Sequence, residues 1–316
     1  MQSLLLLSLI FFSATALPFN KEAVEQILQN SSVLAASRRD FLELSSKAVH
    51  LNTSQFIFGG DDAQPGQFPS QAFISYETST GIPKICGGTL ISTTHILTAA
   101  HCTQNMNASA MIMVGATNRY DHSANAQWRN ISSKIIPPSY DPEDDYKDDI
   151  SVVAFSPPVV LNHEVQLAKI VEDDEELLKQ TTALVSGYGV HEILSNIPFS
   201  SDYLLYANVT LFPSDFCNSV YNNTLGNLKI CAGAAGRGTA SGDSGGPIQV
   251  SYNNELYQVG LTSLGVDDAI AQTQQDRFPG VFTRISQYCG FINKATKNVV
   301  KCGSVTAPAV PTPTAP

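Results

Sequence analysis

Short apolar runs separated by turn residues cover most of the chain after residue 60. Residues 70–75, 88–91, 96–98, 111–114, 150–155, 183–186, 204–209, 249–251, 256–262 and 280–283 are runs of this kind, rich in β-branched and aromatic side chains. Short strands at this spacing predict an all-β chain built of antiparallel barrels. Two segments carry helical signals instead. Residues 213–221 predict a helix opened by Ser214 as its cap, and residues 291–299 predict another near the C-terminus. No repeat period is visible, and the two halves share no obvious sequence identity.

The ends of the chain follow a different pattern. Residues 1–12 read Met-Gln-Ser-Leu-Leu-Leu-Leu-Ser-Leu-Ile-Phe-Phe, an apolar run too short to span a bilayer. Ala14-Thr15-Ala16 follows as a small-residue cleavage site, so residues 1–16 predict a secretory signal peptide and an extracellular protein. Residues 17–56 are polar, with an amphipathic stretch over 22–44, and read as a propeptide in which Arg38-Arg39 is solvated charge. The character changes at Ile57-Phe58-Gly59-Gly60, and removing the first 56 of the 316 residues leaves 260. Residues 306–316 alternate Ala, Pro, Val and Thr, which predicts a disordered tail over 303–316 open to O-glycosylation.

The formal net charge is −10. Residues 1–56 hold four basic and four acidic side chains, so the excess belongs to the rest of the chain. An acidic surface argues against nucleic acid as a partner. No later run is long enough for a membrane span, so no membrane partner is expected. Acidic clusters at 141–149 and 172–176 lack the spaced ligand pattern of a calcium loop. They read as solvated loops, and no metal or cofactor is expected. The six cysteines are Cys86, Cys102, Cys217, Cys231, Cys289 and Cys302, an even count that after a signal peptide predicts disulfides. A straight helix over 290–301 would hold Cys289 and Cys302 about 20 Å apart. Their pairing therefore requires a short helix and a tail that doubles back. Sequons at Asn107, Asn130, Asn208 and Asn222 mark candidate surface glycosylation sites.

The candidate chemistry lies in three segments: Thr-Ala-Ala-His-Cys at 98–102, Asp-Asp-Ile-Ser at 148–151 and Ser-Gly-Asp-Ser-Gly-Gly-Pro at 241–247. A serine hydroxyl is a poor nucleophile at neutral pH until an adjacent base takes its proton. With His101, Asp149 and Ser244 in that chain order, the sequence resembles the chymotrypsin-like serine proteases over about residues 57–297. The resemblance implies two six-stranded antiparallel β-barrels with a short C-terminal helix. It places the protease domain at 57–302, with the barrel junction near 165–180. It implies Ser244 as nucleophile, His101 as base and Asp149, rather than its neighbour Asp148, as the carboxylate that orients the imidazole. The segment matching the trypsin calcium loop, 115–128, lacks the paired glutamates.

Further roles follow from the same resemblance. Gly242 and Ser244 offer N–H groups to the oxyanion, and Asp243 receives the ammonium of Ile57 after cleavage of Phe56–Ile57. The family usually has Val where Phe58 stands. Gly238 falls at the floor of the specificity pocket, where trypsin-like enzymes carry Asp. Gly265 and Gly280 fall on its walls, and Ser263-Leu264-Gly265 forms the edge that pairs with substrate backbone. An open, uncharged slot implies cleavage after large apolar or aromatic residues. Acids in the long loop, Asp267, Asp268 or Asp276, would be needed for a trypsin-like alternative, and surface exposure is expected for them and for Arg277. Cys86–Cys102 and Cys217–Cys231 are the implied disulfides, leaving Cys289 and Cys302 as the remaining pair. The family bridge beside the Ser244 loop has no counterpart, since Ala240 stands at its place. The implied partners are protein or peptide substrates and protein protease inhibitors. An inactive homologue serving as a binding module is the reading from another class, and intact His101, Asp149 and Ser244 argue against it.

Overall fold

In the computed structural model, which describes residues 57, 59–78, 80–194, 197–221, 225–266 and 273–305, the apolar runs close into two antiparallel barrels. The signal peptide and propeptide, Phe58, Asn222, Asp267, Asp268 and residues 306–316 lie outside the described residues. A two-residue edge strand, β1 (Asp61–Asp62), comes first. The first barrel comprises β2 (Gln71–Glu77), β3 (Pro83–Ser92), β4 (His95–Thr98), β5 (Met111–Val114), β6 (Gln127–Ile135) and β7 (Ser151–Ser156). They pair in the order β2-β3-β4-β7-β6-β5, and β5 closes onto β2. The second barrel begins with β8 (Thr182–Gly187), followed by the separate hairpin β9 (Val190–Leu194) and β10 (Ile197–Ser200). It continues through β11 (Leu205–Phe212), β12 (Lys229–Gly233), β13 (Pro247–Tyr252), β14 (Glu255–Leu264) and β15 (Gly280–Arg284). The order is β11-β12-β15-β14-β13-β8, and β8 pairs again with β11 to close the ring.

Alternation along the strands explains where the cores sit. Successive side chains point to opposite faces, so Ile74, Leu90, Ile96, Ile112 and Val153 fill the first barrel. Val185, Val209, Ile248, Val259 and Phe282 fill the second. A third apolar layer joins Leu97, Ile150, Leu261, Ile285 and Ile292. Each such side chain contributes roughly 1.5–3 kcal/mol on burial. This third layer positions the site. Leu97 leads into the helix of His101, Ile150 follows Asp149, and Leu261 lies two residues before Ser263.

The helices depart from the expectation at their ends. Helices α1 (Ala100–Thr103) and α2 (Glu175–Leu178) are single turns. α3 spans Ser214–Val220, and Pro213 rather than Ser214 occupies the cap position, with no side-chain cap bond. Proline needs no N–H partner there, which frees the site from a capping hydroxyl. A 3-10 turn (Ile285–Tyr288) leads into α4, which spans Cys289–Ala295 and stops earlier than residue 299. Lys297 and Asn298, at φ 52° and 67°, adopt left-handed backbone and turn the chain back. The reversal brings Cys302 to a Cα–Cα distance of 5.8 Å from Cys289, and the two are bonded. Cys86–Cys102 and Cys217–Cys231 are bonded as well. Order continues past Cys302, since the Gly303 N–H donates to the Ile170 carbonyl at 2.8 Å.

The second acidic cluster is not wholly solvated. Asp174 is 1% exposed, and both its carboxylate oxygens accept from Arg284 Nε at 3.0–3.1 Å. This pair pins the inter-barrel connection to β15. Asn130 and Asn208 are exposed, whereas Asn107 is half-buried and its amide oxygen accepts from the Ser109 N–H at 2.9 Å. No helix among the described residues is long and apolar enough to cross a membrane.

Candidate active site

β4 ends at Thr98 and the chain turns through Ala99 into α1, which carries His101 at its second position. Asp149 precedes β7 and is completely buried. Its carboxylate Oδ1 accepts the His101 backbone N–H at 2.9 Å, and Oδ2 faces His101 Nδ1 at 2.8 Å. Ser263 Oγ donates to the same Oδ2 at 2.7 Å, and Thr283 Oγ1 donates to the Asp149 carbonyl at 2.9 Å. Burial alone would raise the Asp149 pKa. The hydrogen bond and charge of His101, with the charge of Lys229, instead hold it below the ordinary carboxylate value. An ionised Asp149 accepts only, so the Nδ1 hydrogen of His101 points to it and Nε2 is left as the basic nitrogen.

Ser244 enters from the second barrel, and tight turns fix its backbone. The Asp243 N–H donates to Ala240 O at 3.0 Å, and the Gly246 N–H donates to Asp243 O at 2.8 Å. The Ser244 carbonyl accepts the Gly87 N–H at 2.8 Å. Gly87 adjoins Cys86, which is bonded to Cys102 beside His101, so one hydrogen bond and one disulfide tie the serine turn to the histidine helix. Gly242 has φ +97°, a backbone that side chains rarely adopt. Among the described residues, the N–H groups of Gly242 and Ser244 donate to no other protein group. They remain open to a ligand anion.

Asp243 is also fully buried. Its carboxylate accepts from the Gly189 N–H at 2.8 Å and the Ala240 N–H at 3.0 Å. A side chain at Gly187 would come within 2.1 Å of that carboxylate, so the slot exists because residue 187 has no Cβ. Burial outweighs the two hydrogen bonds and pushes the Asp243 pKa up to about 7. Ile57 is completely buried in the second-barrel core.

Beside Ser244 lies a cavity of about 210 Å³ whose wall includes Thr239, Ser263, Gly265, Gly280, Gln275 and Phe278. Among the described residues, none that lines it is charged. Gly265 meets nothing within 4 Å at the place of a Cβ, so that wall is open. Gly238 departs from the expectation. It lies behind Gln275, whose Oε1 would sit 1.8 Å from a Cβ at residue 238. Gln275 is 3% exposed and its Nε2 donates to the Thr239 carbonyl at 2.8 Å, which fixes the amide at the base of the slot. Ser263 likewise has its hydroxyl on Asp149, leaving only its backbone to the cavity. Asp148 is not simply solvated either: Tyr288 Oη donates to its Oδ1 at 2.8 Å. Asp276 and Arg277 are exposed.

Two residues of this neighbourhood escape sequence reading. Gln275 sits in a polar loop with no periodic pattern. Lys229 was readable in part: it lies two residues before buried Cys231, on the same side of β12, and it is 7% exposed. The Cys86, Cys102 and His101 ligand atoms lie close together, but both sulfurs are held in their disulfide.

The Trypsin family profile matches residues 57–292. A trypsin of Simulium vittatum is 32% identical over 232 residues, covering 72% of this chain and 87% of that protein. The tissue-type plasminogen activator of Sus scrofa is 32% identical over 259 residues, covering 76% of this chain and 45% of that protein. That of Bos taurus is 30% identical over 259 residues, covering 76% and 44%. The chain thus spans about half the length of the plasminogen activators that it matches. With two closed barrels flanking a His101–Asp149 pair and a half-buried serine turn, and with this match across most of its length, the chain belongs to the trypsin family of serine endopeptidases.

Proposed function

We propose that the protein is a secreted serine endopeptidase, made as an inactive precursor, that cuts protein and peptide chains after apolar side chains. The observation that carries this reading is the buried Asp149 carboxylate bound through two oxygens to His101. It fixes one imidazole tautomer and orientation beside a serine turn with two open N–H groups. Ser244 Oγ attacks the scissile carbonyl while His101 Nε2 takes its proton. The N–H groups of Gly242 and Ser244 hold the resulting oxyanion. The C–N bond then breaks, and His101 returns the proton to the leaving amine. Water, deprotonated by the same nitrogen, releases the acyl group and restores Ser244. Asp149 stabilises the transient imidazolium throughout.

Activation follows from Asp243. A buried carboxylate without a counter-ion is costly. Cleavage of Phe56–Ile57 makes an ammonium on a residue already held in the same barrel. Pairing of the two orders the Gly242–Ser244 turn. No basic residue precedes the bond, so its cutter is a protease with an apolar pocket, this enzyme included. In the specificity cavity the described lining offers Arg and Lys no counter-ion, and the Gln275 amide shortens the slot. The reading extends to protein protease inhibitors, which present a substrate-like strand to the edge at Ser263 and Gly265. Cleaved wild-type protein should incorporate a serine-directed phosphonate at Ser244. Ser244→Ala should fold, fail to label and lose peptidase activity by several orders of magnitude. Near-normal turnover by Ser244→Ala would overturn the assignment.

A further inference from the structure

We propose that Lys229 is a positioning residue of the catalytic centre: its ammonium fixes the hydroxyls of Ser263 and Thr283 as donors to Asp149 and holds Tyr146 against the ring of His101. The proposal rests on the reading of His101, Asp149 and Ser244 given above.

Lys229 Nζ lies 2.9 Å from Ser263 Oγ, 3.1 Å from Thr283 Oγ1 and 2.8 Å from the Tyr146 carbonyl. An ammonium has three hydrogens and no lone pair, so these three acceptors saturate it. The consequence lies in the hydroxyls. A hydroxyl has one hydrogen and two acceptor positions. Once Lys229 occupies an acceptor position on Ser263 Oγ, the hydroxyl hydrogen must point elsewhere, and Asp149 Oδ2 stands at 2.7 Å. The same logic turns Thr283 Oγ1 toward the Asp149 carbonyl at 2.9 Å. A single cation thereby sets both hydroxyls that donate to Asp149.

The third bond acts on the other face of the base. Tyr146 and Asp148 have φ of 52° and 53°, left-handed backbone that costs about 1 kcal/mol or more at each non-glycine residue. The bond to Lys229 fixes the Tyr146 carbonyl within this strained turn. The Tyr146 ring stands edge-on to the His101 ring, with centroids 5.4 Å apart.

Charge argues against a bystander role. A lysine this deep needs compensation, and the anions that face it are Asp149, Asp148 and Asp145, all of which favour its charged form. Burial nonetheless pushes its pKa down to about 8. From the neighbouring elements, Tyr288 in the 3-10 turn binds Asp148, Tyr140 feels the Asp149 charge, and His101 faces Asp149 from α1. A positive charge behind Asp149 offsets part of the field that favours the His101 imidazolium.

The test is the pH dependence of kcat/KM for cleaved Lys229→Met, a variant of similar length without the charge, normalised to sites that react with the phosphonate. In Lys229→Met, kcat should fall on the order of tenfold with KM changed less. Thr283→Val keeps the charge and removes one acceptor. Its ammonium releases the proton more readily, so the alkaline limb should move to lower pH. This measurement stands even if Lys229→Met does not fold. An unchanged kcat in a folded Lys229→Met, or an unmoved alkaline limb in Thr283→Val, overturns the proposal. Failure of wild-type Ser244 to react with the phosphonate would instead sink the underlying assignment.

Discussion

Replacing Asp243 by Asn in the uncleaved Ser244→Ala chain should remove a pH dependence of stability that the intact chain carries. Before cleavage the Ile57 nitrogen belongs to a peptide bond and brings no charge to the buried carboxyl. Two N–H donors at 2.8 and 3.0 Å do not offset its burial, and the pKa rises from 3.8 to about 7. A carboxyl whose folded pKa is raised binds its proton more tightly folded than unfolded. The resulting stability is fully present below pH 4 and is lost as pH rises through 7. A shift of about three units at about 1.4 kcal/mol each gives a loss of about 4 kcal/mol. Urea unfolding of Ser244→Ala at pH 4, 5.5 and 7.5 should show that decline. Asp243→Asn in the same background should be flatter by a similar amount, because an amide does not titrate. After cleavage the order reverses, since Asn cannot pair with the Ile57 ammonium, and the cleaved Asn variant should be the less stable one. Parallel pH profiles for the two uncleaved proteins would refute the reasoning.

Two further outcomes follow from named contacts. Gln275→Ala removes the amide at the base of the specificity slot and should raise kcat/KM for Phe, Tyr and Trp over Leu by roughly tenfold; profiling a peptide library reads the ratio, and an unchanged ratio counts against a specificity role for Gln275. Arg284→Ala strips a buried Asp174 of its cation and should cost about 3 kcal/mol, measured as a lower urea midpoint at constant slope, whereas a loss under about 0.5 kcal/mol would show that the pair is not an anchor.

The strands that sequence reading located are those whose buried faces are apolar. Met111–Val114 is apolar throughout, and it forms β5 with the same bounds. β6 escaped because its residues, Gln127 to Ile135, are half-exposed or exposed, and backbone pairing to β5 and β7 holds it rather than an apolar face. β12 escaped because Lys229 interrupts its apolar pattern. At the site, His101, Asp149 and Ser244 stand out in the sequence because each sits in a short motif, and the structure brings His101 and Asp149 into contact. Gln275 was not, because its role depends on where a long polar loop folds relative to Gly238, a contact between residues 37 positions apart. The pairing of Cys289 with Cys302 depended on a chain reversal at Lys297 and Asn298, where neither residue is the glycine that usually announces left-handed backbone.

The edge strand β1 would set the kinetics of the proposed activation step. Asp61 and Asp62 pair with Tyr206 and Leu205 of β11, so the chain is fastened to the second barrel four residues beyond Ile57. A flexible leash of four residues explores a radius of about 11 Å. Confinement within so small a volume corresponds to an effective concentration of the new amine in the millimolar range or above. Under the proposed activation, docking at Asp243 would be a first-order event whose extent does not depend on how dilute the enzyme is. A free peptide that mimics the Ile57 terminus would have to reach millimolar levels to compete with the tethered amine. On the proposed activation route, the cut at Phe56–Ile57 would act once and locally, with no bound activator needed to hold the active state.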